Sequence, residues 1–369
     1  FIMKFTLQIY KFYDLSGPLS TFKIVRNIKK FSTENLEQYD LSSNIKEPDF
    51  VSYPKPISFK YTEKTLNWEN QQLDINCKVY NYGTLTINTQ INLDIDNFKE
   101  INNYIKNKEP ITKIEEKIDQ ISEEIIEQFN INSKQSYPET NYNNLYPVFC
   151  ISDTGYDDVE ELIINNKQNI TSLLSGMETN VKQKNYQFSN NQIDSILRNK
   201  IRLHQKDYSI IHWYGALTID NEGDYSDVLF TIELANIQFI NLQAYDKYID
   251  NYLNDYLSSI KNTLKKRLPY LIFGVRKRMQ EITQIRIEIE KITDIMDNFE
   301  KFYGSWYLAK IYYLASKAFE IPRWKNLLSS RMETINELYS MLQEESNRIK
   351  MLTLNFLTFL LFILWFVTG

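Results

Sequence analysis

Met351 to Gly369 read MLTLNFLTFLLFILWFVTG, a run of 19 residues without a charge. As a helix rising 1.5 Å per residue the run reaches about 28 Å, close to the roughly 30 Å hydrocarbon thickness of a bilayer. Core helices of soluble domains rarely stay uncharged over such a length, so the run reads as a membrane span with lipid as its partner. Glu344, Glu345, Asn347, Arg348 and Lys350 form the polar edge upstream, and the cations there mark the cytoplasmic side. The bulk of the chain is then expected in the cytoplasm, tethered to the cell inner membrane. Cys77 and Cys150, neither in a CxxC pair, fit the same reducing compartment.

The span is the end of a longer helix that opens at Pro322, a residue suited to a first helical turn. Leu328, Ile335, Leu342, Ile349, Phe356 and Ile363 fall seven apart along it. A strict seven-residue repeat implies packing against parallel partners, either other subunits or neighbouring helices. The simplest picture is a homo-oligomer whose stalk enters the bilayer as a bundle. Within the span Asn355 and Thr358 share a face that Leu352 and Arg348 continue towards the cytoplasm. Polar groups in lipid need water or a partner, so this face either lines a pore or hydrogen-bonds between helices.

Further upstream the chain alternates strand and helix signals. Met3 to Tyr13 reads as a strand, and Leu73, Ile75, Cys77 and Val79 lead through Asn81-Tyr82-Gly83 into Leu85, Ile87, Ile91, Leu93 and Ile95 as a hairpin. Ile114, Ile118, Ile121, Ile125 and Phe129 recur with a period near 3.6, which predicts an amphipathic helix with a solvated acidic face. Residues 130–146 read as an exposed loop, Val148 to Ser152 as a short strand, and Tyr208–Ile219 and Val228–Ile240 as two strands joined by the turn at 220–224. His212, beside Trp213 and Tyr214, reads as a packed strand residue.

The expected class is α+β. A mixed α/β sensor domain occupies residues 1–240, a helical hairpin region 241–321, the stalk helix 322–350 and the transmembrane helix 351–369. The hairpin is expected to pair an aromatic face from Tyr245 to Leu257 with a seam at Ile282, Ile285, Ile289, Ile292, Met296 and Phe299.

A net charge of −5 argues against nucleic acid as a partner, because that affinity rests on a cationic footprint. With two histidines, no nucleophile elbow, no Gly-rich phosphate loop and no HExxH, no enzymatic activity is expected. Two local clusters point to a ligand. Asp153, Asp157 and Asp158 stand at a strand-to-helix turn, where carboxylates suit a hard divalent cation, while Asp153 alone also suits a helix cap. Lys265, Lys266, Arg267, Arg276, Lys277 and Arg278 crowd the turn of the hairpin, a cationic patch able to hold lipid headgroups or a phosphate-bearing ligand.

The order of parts, a soluble α/β domain, a helical hairpin and one very long helix entering the membrane, resembles the CorA family of divalent-cation channels. In that family the stalk ends in Asn, then a basic residue with Met, then Leu-Thr, and the span closes at Gly-Met-Asn. Asn347, Lys350, Met351, Leu352 and Thr353 follow this order here, with the Asn one residue closer to Leu-Thr. Gly369 falls near where the Gly-Met-Asn would begin. The resemblance covers about residues 245 to 369. It implies a pentamer, one span per subunit lining a central pore, a second outer span, and Mg²⁺ as a gating ligand between cytoplasmic domains. Divergent CorA-like proteins beside type III CRISPR systems imply instead an antiviral membrane effector opened by a nucleotide second messenger. A membrane-tethered scaffold without conductance is the third expectation.

Overall fold

A computed structural model describes residues 3–15, 19, 21–28, 37–38, 56–62, 64–132, 142–175, 188–263 and 305–368, with single positions or pairs between 277 and 290. The chain divides into two compact units, residues 1–244 with 297–322 and residues 245–296 with 323–369.

The first unit is built on a mixed sheet. Its strands are β1 (Met3–Asp14), β2 (Glu37–Gln38), β3 (Ile57–Lys60), β6 (Asn76–Tyr80), β7 (Thr84–Ile95), β8 (Asn143–Ser152), β9 (Lys200–Ile201), β10 (Asp207–His212) and β11 (Gly215–Asp220). They lie in the order β2-β3-β6-β7-β1-β8-β11-β10-β9. A separate ribbon pairs β4 (Leu66–Trp68) with β5 (Gln71–Leu73). β8 and β11 run parallel, and the other neighbours run antiparallel. The predicted hairpin is β6 and β7, shorter at its start than expected because Leu73 pairs with Leu66 in the separate ribbon, and Gly83 takes φ 86 at its turn, a conformation that costs glycine nothing.

Side chains alternate across the pleat, so the two sheet faces bury different sets. Phe5, Leu7 and Ile9 of β1, Leu85 and Ile87 of β7 and Phe149 of β8 pack into one apolar core. That core is closed by α1 (Thr21–Ile28), α2 (Phe98–Lys108), α3 (Pro110–Asn132), α4 (Val159–Asn165), α5 (Lys167–Ser175) and α6 (Asn190–Ile196). The predicted stripe Ile114, Ile118, Ile121, Ile125 and Phe129 is buried along α3. Lys11 is buried on the same face, its ammonium bound to Glu115 and, at 3.1 Å, to Asp119 of α3.

The opposite face is covered by α7 (Ser226–Thr263). Lys78 and Tyr80 of β6 reach its Glu233 at 2.6 and 2.9 Å, Thr84 of β7 donates to Asn241 at 2.9 Å, and Asn144 of β8 donates to Asn236 at 2.9 Å. α8 (Trp306–Ala318) packs beyond it, with the Tyr312 hydroxyl donating to Gln238. The unit is therefore a sheet between two helical layers.

Two strand expectations change. Residues 228–240 are helix: Val228, Leu229, Phe230, Ile232, Leu234, Ala235, Ile237, Phe239 and Ile240 are all buried. The polar residues between them, Thr231, Glu233, Asn236 and Gln238, are buried too, so no exposed face marks a helical period and the stretch does not separate from a buried strand. Residues 208–219 are a hairpin of their own, β10 and β11, with His212 opposite Gly215. Of the predicted loop 130–146, residues 130–132 extend α3 and 143–146 open β8, while 133–141 lie outside the described residues.

The second unit holds the later part of α7 and α9 (Ile321–Thr368), one unbroken helix of 48 residues that joins the predicted stalk and span. Arg331 of α9 forks onto Asp246 and Asp250 of α7, and the Arg286 guanidinium lies 5.4 Å from the Tyr339 ring centre. Leu328, Ile335, Leu342, Ile349 and Ile282 are buried within the single chain. The other predicted seam positions, Ile285, Ile289, Ile292, Met296 and Phe299, lie outside the described residues.

Candidate functional site

The end of α9 is apolar and uncovered. From Met351 to Val367 each side chain is exposed, and this is the one described helix long and apolar enough to cross a membrane. Along the heptad the change is abrupt: Ile349 is 4% exposed, whereas Phe356 is 62% and Ile363 42%. Up to Ile349 the seam is closed by the chain itself; beyond it, the described residues leave it uncovered. Leu352, Asn355 and Thr358 are exposed there, and Thr358 returns its hydroxyl to the Asn355 carbonyl at 2.8 Å. Such a bond satisfies the hydroxyl in lipid without a second helix. Arg348 pairs with Glu345 at 2.6 Å.

The three carboxylates proposed for a cation are placed apart in their contacts. Asp153 adopts φ 54 and pairs with Lys4 at 2.6 Å, which raises the Lys4 pKa through that hydrogen bond. Asp158, and not Asp153, caps α4: its side chain accepts from the Glu160 backbone and from Arg202 at 3.0 Å. Asp157 is exposed. Among the described residues no three metal-capable side chains come together. In the basic turn, Lys265, Lys266, Arg267, Arg276 and Arg278 lie outside the described residues, while Lys277 is helical and exposed.

A site that the sequence reading passed over lies in the first unit at the β10–β11 turn. Trp213 and Tyr214 form the two-residue loop between His212 and Gly215, and with Glu320 and α6 they line a cleft of about 500 Å³. The turn is held from behind. Tyr146 of β8 donates to the His212 carbonyl at 2.8 Å, and burial pushes its phenol pKa well up, so it keeps that proton. A Cβ at Gly215 would meet the Pro147 carbonyl at 2.9 Å, so only glycine lets the hairpin sit this close to β8. An aromatic chain fixes Trp213: it meets Phe239 edge-on at 5.3 Å, Phe239 stacks on Phe319 at 5.6 Å, and Phe319 meets Tyr146 at 5.3 Å. Glu320, at φ 51, stands between the end of α8 and the first residue of α9. The run HWYG was the available signal, a two-residue loop closed by glycine, hidden inside an otherwise apolar stretch.

The chain is thus a mixed sheet between two helical layers, continued by a helix of membrane-spanning length. The chain belongs to the family described as "Uncharacterized protein MJ0711, N-terminal domain", whose model matches residues 6–226. It is similar to the uncharacterized protein MJ0711 of Methanocaldococcus jannaschii, with 25% identity over 245 residues, 66% of this chain and 70% of that protein. No solved structure matches it.

Proposed function

We propose that the chain is the sensor, stalk and first span of an oligomeric membrane channel for cations, similar in plan to the CorA family. The observation that carries this reading is α9, one unbroken helix of 48 residues that runs into the exposed apolar segment Met351–Val367. A helix without a break transmits displacement at one end to the other. Phe356 and Ile363, left exposed on the continuing heptad, supply a seam for copies to meet within the bilayer. The cations Arg348 and Lys350 set the sheet domain on the cytoplasmic side. Light scattering of the detergent-solubilised protein tests the assembly. A closed oligomer that dissociates when Phe356 and Ile363 are both changed to Ala supports the channel, and a monomer at micromolar concentration contradicts it.

One observation favours a second reading, a membrane-tethered scaffold without conductance. Leu328, Ile335, Leu342 and Ile349 are buried inside one chain, so the stalk does not need other subunits to close its seam. A monomer that stays in the membrane would select this reading.

A further inference from the structure

We infer that the cleft at the β10–β11 turn is a binding site for a small organic cation, an amine or quaternary ammonium group held against Trp213 and beside Glu320. Three features of the cleft carry this. Its volume, about 500 Å³, is that of a small-molecule site. Its aromatic wall is rigid before any ligand arrives, because the row Tyr146, Phe319, Phe239 and Trp213 locks the indole from behind while 37% of Trp213 stays open to solvent. Preorganised aromatic faces attract cations through the ring quadrupole, most strongly at Trp. The lining favours one sign of charge: Glu320 is among the lining residues, and none of the described ones is Lys or Arg.

The competing ligands fit less well. A nucleotide or phosphate would meet an acidic residue and, among the described lining residues, no Lys or Arg. A metal ion would find one carboxylate and one imidazole, fewer ligands than either a zinc or a calcium site uses. The polar groups contributed by α6, Gln192 and Ser195, suit a hydroxyl on the ligand. The inference concerns the first unit alone and stands apart from the transport reading.

Calorimetric titration of the detergent-solubilised full chain tests it, with choline as the probe and its neutral isostere 3,3-dimethylbutan-1-ol as the comparison. Choline is expected to bind saturably and at least about tenfold tighter than the alcohol. E320Q should abolish that preference. W213A should abolish binding while W213F retains part of it, which separates loss of an aromatic face from collapse of the turn. No binding of either compound, equal binding of both, or an undiminished preference in E320Q would overturn the inference.

Discussion

The Lys78 ammonium donates to the buried Glu233 carboxylate at 2.6 Å, tying β6 to α7 across the interior of the first unit. Tyr80 donates to the second oxygen at 2.9 Å, so the charge is both paired and hydrogen-bonded. Removing one partner of such a pair strands a charge in the interior at a cost of about 3 kcal/mol, whereas replacing both with apolar side chains is often neutral. Lys78→Met should therefore lower unfolding stability by about that amount, and Lys78→Met with Glu233→Met should recover most of it. Urea unfolding of the two variants checks this. A neutral Lys78→Met would show that Glu233 is not held by this pair.

Arg331 ties the second unit together by bridging Asp246 and Asp250, the latter at 2.6 Å. Partial burial works against its charge, but the hydrogen bonds to Asp250 and Asp246 outweigh it and leave the guanidinium pKa above its ordinary value. Lys cannot reproduce a planar two-carboxylate fork. The ion pairs are partly exposed, so Arg331→Lys should cost about 1 kcal/mol, and less in 1 M salt. Thermal midpoints at low and high salt read the difference.

Burial sets an alkaline limit on the fold. It pushes up the phenols of Tyr13, Tyr82, Tyr146 and Tyr307 and the thiols of Cys77 and Cys150. Once unfolded, thiols release protons near pH 8.5 and phenols near pH 10, while in the folded chain these groups keep them. The folded state then binds more protons than the unfolded one, so stability falls as pH rises through this range and is undiminished below it. Stability should drop from about pH 9 upward, with a phenolate absorbance step that coincides with loss of helix. Both thiols should resist a thiol reagent at pH 8 until denaturant is added, because both are buried. Reaction of either in the native state would contradict its placement.

The Gly215 approach to Pro147 gives a prediction at the cleft. Gly215→Ala places a methyl group 2.9 Å from a backbone carbonyl, which the hairpin relieves only by moving away from β8. A loss of about 1–3 kcal/mol is expected, as for other overpacked sites, together with a changed Trp213 emission. Unfolding midpoint and fluorescence of the same sample check both.

How much of this was legible beforehand depends on how each element is solvated. Met3–Asp14, the β6–β7 hairpin and α3 showed clear periods in the sequence. The long apolar end of α9 announced itself through the absence of charge between Met351 and Gly369. α7 did not, because between the sheet and α8 it is buried on every side from Val228 to Ile240, polar residues included, so no solvent-facing stripe marks its period. Its polar residues Glu233, Asn236 and Asn241 face the sheet. Of the seven-residue repeat, Leu328, Ile335, Leu342 and Ile349 are buried and Phe356 and Ile363 are exposed, and its occupant was not legible, since a heptad does not say whether the partner is the same chain. The cleft depends on Tyr146, His212, Phe239 and Glu320, brought together by strand order, which the sequence did not provide.

The proposal that α9 carries a signal from the sheet domain into a pore is tested most directly by ion flux. Vesicles prepared from cells expressing the protein, loaded with a Mg²⁺-sensitive dye, should show protein-dependent Mg²⁺ entry. Entry should fall at least about tenfold when Asn355 and Thr358 are both changed to Leu, because the polar face would no longer hold water. Flux equal to that of vesicles without the protein, from protein recovered in the membrane, would contradict the channel and leave a tethered scaffold.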